Sequence, residues 1–235
     1  MTTEEARKAS PEVKPEVLAK QEQRLREILD PKQNPPLLLV IDMQEDFIGD
    51  EGKFSAMWHH DITPMRSIIS KITSLADQAS ERGIPVVYTQ IFEDGKTRTL
   101  AGKDRLLFFE NVVDEEDEQF EVACQRGTKG AKIAIPIVPG SVIMEKTTSS
   151  AYTQELADYL EKNGIKTVIV TGVLTHRCVS ATIGDLYNRA NVHVVTPRDC
   201  VASDELEKHT VTLKEFETFY PPVVNSKQVE EAWKK

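Results

Sequence analysis

Residues 166–187, "KTVIVTGVLTHRCVSATIGDLY", contain the sharpest change of pattern in the chain. The first part, "KTVIVTG", is an apolar run that ends in glycine, which is typical of a strand covered on both faces. Past Cys178 the apolar side chains recur at helical spacing, at Val179, Ile183, Leu186, Tyr187 and Ala190. The stretch therefore predicts a buried strand that turns into a helix, with Cys178 where the helix begins.

The same alternation of two patterns runs along most of the chain. Further strands are predicted at "LLLVID" (37–42), "IPVVYTQ" (84–90), "SVIMEK" (141–146) and "VHVVTP" (192–197), with a short one near 218–224. Helices are predicted over 63–83 with Thr63 as N-cap, over 151–164 with Ser150 as cap, over 204–216, and at the C-terminus. This order predicts an α/β fold of the Rossmann type: three layers, a mostly parallel sheet and helices on both faces.

The first 34 residues differ from the rest in being highly charged. Within them an amphipathic helix is predicted from about Pro15 to Asp30, and "PKQNPP" ends it. We therefore divide the chain into a charged N-terminal extension, residues 1–34, and one domain, residues 35–235. An acidic patch, "DEEDE" (114–118), is interpreted as a solvated loop.

Composition excludes several classes of protein. The net charge of −9, with no basic stripe, argues against a nucleic-acid or anionic-membrane surface. The longest apolar runs are far short of a membrane span. Three cysteines without zinc-ligand spacing indicate reduced thiols in a cytosol-like compartment. The sequence leaves open whether two of them form a disulfide. We expect a soluble cytoplasmic protein that takes a small-molecule substrate.

Three polar side chains lie at or just beyond predicted strand ends: Asp42, Lys146 and Cys178. Each alone is better explained as a turn cap, a surface charge or a small buried residue. Together they are chemically coherent, because a parallel sheet gathers its ligand-binding groups at the carboxyl ends of the strands. The helix dipole and the Lys146 ammonium are expected to lower the thiol pKa, and Asp42 is expected to act as general base.

Four motifs carry a resemblance to a known family. "DMQEDF" (42–47), "RGTKGAKI" (126–133), "KTTSSAY" (146–152) and "GVLTHRCV" (172–179) occur in the same order as those of the isochorismatase-like cysteine hydrolases. This superfamily includes nicotinamidases, carbamoylsarcosine amidases and ureidoacrylate amidohydrolases. The resemblance covers roughly Leu37 to Val224, and it implies that residues 35–235 form a hydrolase domain.

The resemblance also implies roles for particular residues. Asp42, Lys146 and Cys178 would be the catalytic triad, and the amides of Leu174 and Cys178 would form an oxyanion hole. A cis peptide bond is implied between Val173 and Leu174. The family further suggests a homo-oligomer, a dimer or tetramer.

Metal binding is not expected. Nicotinamidases resemble one another in a metal-binding D-x-H element after the second strand, but "YTQIFEDGKTRTL" here has no histidine, and Glu93 and Asp94 are interpreted as loop carboxylates. His59 and His60 in "MWHHD" are a weak metal signal because the two side chains are adjacent in a loop. We predict a site without metal or cofactor.

Loop aromatics are the candidates for shaping a substrate pocket: Phe47, Trp58, Phe92 and Tyr152. His176 either points into the pocket or caps the helix. The leading hypothesis is a hydrolase that cleaves a C–N bond of a small amide or ureide through a thioester on Cys178. The alternatives are isochorismatase-type vinyl ether hydrolysis, whose enzymes carry glycine in place of the cysteine, and a catalytically silent binding protein.

Overall fold

A computed structural model describes residues 14–92, 104, 122–220 and 222–234 of the 235-residue chain. The interpretations of Glu93, Asp94 and residues 114–118 as loop carboxylates therefore concern positions outside the described residues.

A single parallel sheet of seven strands organises the described part of the chain. The order across the sheet is β3-β2-β1-β4-β5-β7, and β6 pairs with β4. The strands are β1 Pro36–Ile41, β2 Val86–Ile91, β3 Val142–Lys146, β4 Thr167–Val173, β5 His193–Pro197, β6 Val201–Ala202 and β7 Val223–Val224.

The central strands explain why this sequence forms a covered sheet. All six residues of β1 and all seven of β4 are buried. Because side chains of a strand alternate between the two faces, such strands require a covering layer on each face. The predicted α/β fold with a parallel sheet between helical layers is confirmed.

Helices follow most strands, and their bounds correct several predictions. They are α1 Pro15–Leu29, α2 Glu45–Ile48, α3 Thr63–Ser67, α4 Ile69–Glu81, α5 Gln154–Lys162, α6 Ser180–Arg189, α7 Leu206–Phe219 and α8 Ser226–Trp233. Two wide π turns, Lys53–Met57 and Thr175–Val179, and a short 3-10 helix, Arg198–Cys200, are further helical segments.

Two predicted helix caps are wrong. Thr63 is already helical, and the Asp61 carboxylate accepts the hydrogen bond from its backbone N–H at 2.9 Å. Ser150 accepts from the backbone N–H of Tyr152 in a turn before α5, and Thr153 caps the helix by accepting from the N–H of Leu156. In both places a neighbouring oxygen satisfies the first free N–H groups, so the helix begins at a different residue.

The last turn of α1 packs into the core. Ile28 and Leu29 are buried, and the Thr167 hydroxyl at the start of β4 donates a hydrogen bond to the Ile28 carbonyl at 2.9 Å. The division of the chain at residue 34 stays a prediction, and these contacts join the end of the proposed extension to the sheet. Among the described helices, none is long and apolar enough to cross a membrane.

The packing of α1 yields a matched pair of substitutions. Leu29→Ala is expected to lower the free energy of unfolding by about 2–5 kcal/mol, because Leu29 is 3% exposed and its removal leaves a cavity. Leu18→Ala, at a 47% exposed position of the same helix, is expected to change it by no more than about 0.5 kcal/mol. Urea unfolding of both variants provides the measurement, and equal effects would contradict the packing described for α1.

Candidate active site

The structure brings Asp42, Lys146 and Cys178 together at the carboxyl edge of the sheet. Asp42 follows the last residue of β1 with a φ of 51°, and Lys146 is the last residue of β3. The Lys146 Nζ lies 2.7 Å from Asp42 Oδ2, although β2 separates the two strands. Cys178 lies in the π turn that follows β4 and interacts with both charged groups.

Protein groups surround the buried ion pair. Thr89 on β2 donates to Asp42 Oδ1 at 2.7 Å, and its hydroxyl accepts from the Asp42 backbone N–H. The Lys146 ammonium also donates to the carbonyls of Thr148 and Ser149, each at 3.0 Å. Two carbonyl oxygens and the Asp42 carboxylate therefore hold the ammonium in place.

The turn that holds Cys178 depends on a close backbone approach at Gly172. This residue has a φ of +110°, and a Cβ here would lie 2.1 Å from the Ile41 carbonyl oxygen. Glycine is therefore required where β4 passes the end of β1. The following Val173–Leu174 peptide bond is cis. Thr182 then ties the turn down, since its hydroxyl donates to the Cys178 carbonyl and accepts from the Ala151 N–H.

The pKa of the Cys178 thiol is raised, whereas the sequence analysis predicts that it is lowered. Burial raises the pKa of Cys178 to about 12, and the nearby Asp42 carboxylate also raises it, while Lys146 acts in the lowering direction without prevailing. Burial also acts to lower the pKa of Lys146, but Asp42 and Cys178 outweigh it, so that pKa is raised. The free protein therefore holds a protonated thiol beside a charged ammonium, and neither the helix end nor Lys146 makes a stable thiolate.

Two further residues of the "DMQEDF" motif hydrogen-bond to the backbone of the segments around the site, a role that the sequence analysis did not assign. The Gln44 amide donates to the carbonyls of Ile91 and Ala131 and accepts from the Ile91 N–H. The Asp46 carboxylate accepts from the N–H groups of Cys124 and Lys53. The alternate spacing of 42, 44 and 46 was the available signal.

The close contact at Asp46 explains the glycine of a second motif. A Cβ at Gly130, in "RGTKGAKI", would lie 2.2 Å from the Asp46 carboxylate. Any other residue would push this loop away from the segment that follows β1. The first two motifs are therefore packed against each other.

Cys178 opens onto a cavity of about 1180 Å³, whereas Asp42 and Lys146 lie behind it and are not among the residues that line it. Phe47 and Trp58, two of the candidate pocket aromatics, line the cavity. Leu174 lines it too, as does His176, for which the sequence left open whether it faces the pocket or caps the helix. An aromatic wall is formed where the Phe54 ring contacts the rings of Phe47 and Trp58, with centroids 5.0 and 5.1 Å apart.

Two of the predicted substrate-binding aromatics lie elsewhere. Phe92 is buried under the Arg126 guanidinium, which lies 3.9 Å from the ring centroid. Tyr152 lines a separate pocket of about 390 Å³ between α5 and the end of α6, where Arg189 lies over its ring. Neither Phe92 nor Tyr152 is among the described residues that line the cavity, because each ring packs against an arginine instead.

Next to the aromatic wall the cavity has a polar wall, formed by His60, His176, Arg177, Asp204, Glu205 and Lys208. The two walls meet at the His60 ring, whose centroid lies 5.0 Å from that of Phe54. His60 Nδ1 lies 2.5 Å from Asp204 Oδ2, and His176 Nδ1 lies 2.9 Å from the Ser203 hydroxyl. Burial, with the neighbouring Arg177, lowers the pKa of His176. No pattern in the sequence marks Asp204, which precedes α7 and lies outside it, although the sequence predicts a helix over 204–216.

Comparisons with known proteins agree with this architecture. The isochorismatase domain model matches residues 36–228. A "probable inactive nicotinamidase" of Arabidopsis thaliana is 29% identical over 75% of this chain and 85% of its own length. The ureidoacrylate amidohydrolase RutB of Methylorubrum extorquens is 24% identical over 78% and 77%. The pyrazinamidase of Pyrococcus horikoshii, solved in complex with zinc, has a TM-score of 0.64 at 24% identity, covering 81% of this chain and 98% of that one.

The sheet, the site at its carboxyl edge and the matched domain define an isochorismatase-like α/β protein. The chain belongs to the isochorismatase family.

The raised thiol pKa predicts how Cys178 reacts with iodoacetamide in the free protein. Below its pKa the thiolate fraction rises with pH, so the alkylation rate is expected to rise about tenfold per pH unit between about pH 7 and 9 without levelling off. Peptide mass mapping assigns the label to Cys178, and free cysteine, with a pKa of about 8.5, is the control. A rate that levels off below about pH 8 would show that Lys146 outweighs burial.

Proposed function

We propose that this protein is a cysteine hydrolase that cleaves a C–N bond of a small amide or ureide through a thioester on Cys178. The observation that supports the proposal is the arrangement of one thiol facing a cavity with a buried carboxylate–ammonium pair directly behind it. A nucleophile, a proton acceptor and a fixed cation are the groups that acyl transfer requires.

Acylation begins from the protonated thiol. Because burial raises the pKa of the Cys178 thiol, the thiol passes its proton to the Asp42 carboxylate as the carbon–sulfur bond forms. The Lys146 ammonium favours the sulfur anion at that moment, since its charge acts to lower the thiol pKa. The carbonyl oxygen gains negative charge, and the amides of Leu174 and Cys178 are assigned to stabilise it.

Collapse of this intermediate breaks the C–N bond. Asp42 returns the proton to the leaving nitrogen, which departs as ammonia or an amine, and the acyl group remains on sulfur as a thioester. Asp42 then takes a proton from water as the water attacks the thioester. The carbon–sulfur bond then breaks, Asp42 returns its proton to sulfur and the acid leaves, so one water has been added across one C–N bond.

The cavity restricts the substrate class. Its aromatic wall, with Phe54 at the centre, suits a flat or apolar part of a substrate, and the adjoining polar wall carries both carboxylates and cations. Pockets of this kind use few polar groups to orient a ligand that apolar walls hold. We assign a small, polar, partly planar amide or ureide.

Two relatives bear on the alternatives. RutB is an amidohydrolase by name, which accords with C–N cleavage. The Arabidopsis relative is named a probable inactive nicotinamidase, so a silent binding protein of the same fold is the competing function. Vinyl ether hydrolysis led by Asp42 would not need the thiol.

Substitutions at the site separate these functions. On any amide or ureide that the protein hydrolyses, Cys178→Ala and Asp42→Asn are each expected to lower kcat at least about 1,000-fold, because nucleophile and base act as one unit. Cys200→Ala is the matched control: its thiol is also buried, with a pKa raised by burial, but it lies outside the residues lining the cavity, and kcat should stay within a few-fold.

Circular dichroism confirms that each variant is folded. Near-wild-type turnover of isochorismate by Cys178→Ala, with its loss in Asp42→Asn, would indicate ether hydrolysis. Absence of turnover in the unsubstituted protein across small amides, ureides and isochorismate, with measurable binding, would indicate the silent protein.

A further inference from the structure

Three side chains of the polar wall converge on one point. His176 belongs to the π turn after β4, and Asp204 and Glu205 lie between β6 and α7. One ligand atom from each residue lies within 4.8 Å of the other two. Because β6 pairs with β4 through Gly172 and Val201, the fold itself brings these two segments together.

Two of the converging residues have polar atoms without a hydrogen-bond partner among the described residues. These atoms are His176 Nε2 and Asp204 Oδ1, and both are buried. The Asp204 side chain is only 4% exposed, and both residues line the cavity. A buried carboxylate oxygen and a buried imidazole nitrogen left without partners are unfavourable, so a ligand that satisfies both is expected at this point.

The other atoms of both side chains are already held. Ser203 contacts His176 Nδ1 at 2.9 Å, and His60 Nδ1 contacts Asp204 Oδ2 at 2.5 Å. Such outer partners orient an imidazole and a carboxylate so that the remaining nitrogen and oxygen point at a shared ligand. The arrangement is that of a site already shaped before its ligand binds.

The donor atoms, rather than the net charge, indicate a metal cation, because Arg177 and Lys208 on the same wall balance the two carboxylates. Asp204 and Glu205 contribute two carboxylates, and the imidazole contributes a neutral nitrogen donor. Lys208 pairs with Glu205 at 2.5 Å, but through Oε1 alone, and a carboxylate has a second oxygen. One nitrogen and two oxygen donors suit a borderline divalent ion more than Mg²⁺ or Ca²⁺, which prefer oxygen only.

We propose that His176, Asp204 and Glu205 bind a divalent transition-metal cation, with Zn²⁺ as the test case, on the polar wall of the active-site cavity. Three protein donors leave at least one coordination position open to the cavity that Cys178 shares. The site is distinct from the D-x-H element expected in nicotinamidases, which follows the second strand. It also does not depend on the thiol chemistry proposed above.

The test is a Zn²⁺ titration of the full-length protein, stripped with chelator and dialysed, followed by calorimetry. One Zn²⁺ per chain is expected, in Cys178→Ser as in the unsubstituted chain, which excludes the thiolate as a ligand. Asp204→Asn and His176→Gln should each weaken binding at least about 100-fold. His60→Gln should weaken it about 10-fold, since outer partners of metal ligands contribute roughly 10–100-fold in affinity.

His193→Gln, a substitution of a histidine on β5 outside the cavity lining, is the matched control and should bind Zn²⁺ unchanged. If Asp204→Asn unfolds, Glu205→Gln replaces it, because that side chain is 43% exposed and tolerates substitution. The proposal is overturned if the unsubstituted chain binds no stoichiometric Zn²⁺, if Cys178→Ser abolishes binding, or if Asp204→Asn or Glu205→Gln binds as tightly as the control.

Discussion

The side chains of Asp42 and Lys146 are 0% and 1% exposed and lie 2.7 Å apart, so protein groups alone must stabilise both charges. Removing one partner of such a pair typically costs about 3–5 kcal/mol, because it leaves a buried charge unpaired. Thr89 on β2, between the strands that end at these residues, provides the hydroxyl that holds the carboxylate. The parallel order of β3, β2 and β1 is thus the means by which the charges meet, and Cys178 is placed against them by the turn after β4.

The strand ends were predictable because a short apolar run that stops at a polar residue is a local signal. Asp42 and Lys146 follow that rule, whereas Cys178 lies in the turn after β4, where helical spacing begins. A parallel sheet then brings the ends of its strands to one edge. Local pattern was insufficient where a partner distant in sequence decides the outcome. Tyr152 follows Lys146 by six residues, yet it turns to Arg189 and lines another pocket.

The position of Asp204 and the pKa of Cys178 are also properties that local sequence pattern does not predict. No spacing in the sequence links Asp204 to His60, because 144 residues separate them. The sequence predicts a lowered Cys178 pKa from the helix end and the Lys146 charge. Burial is the largest influence on this pKa, and it is a property of the packed structure that the sequence pattern does not reveal. In the proposed mechanism, a thiol that stays protonated therefore passes its proton to Asp42 as it attacks the substrate.

The proposed acylation of Cys178 during turnover is tested most directly by intact-mass analysis of acid-quenched reactions with a small amide or ureide that the protein hydrolyses. We expect an added mass equal to the acyl part of the substrate, located by peptide mapping on Cys178, and a hydroxamate product when hydroxylamine competes with water. Turnover with neither an acyl mass on Cys178 nor a hydroxamate would contradict it.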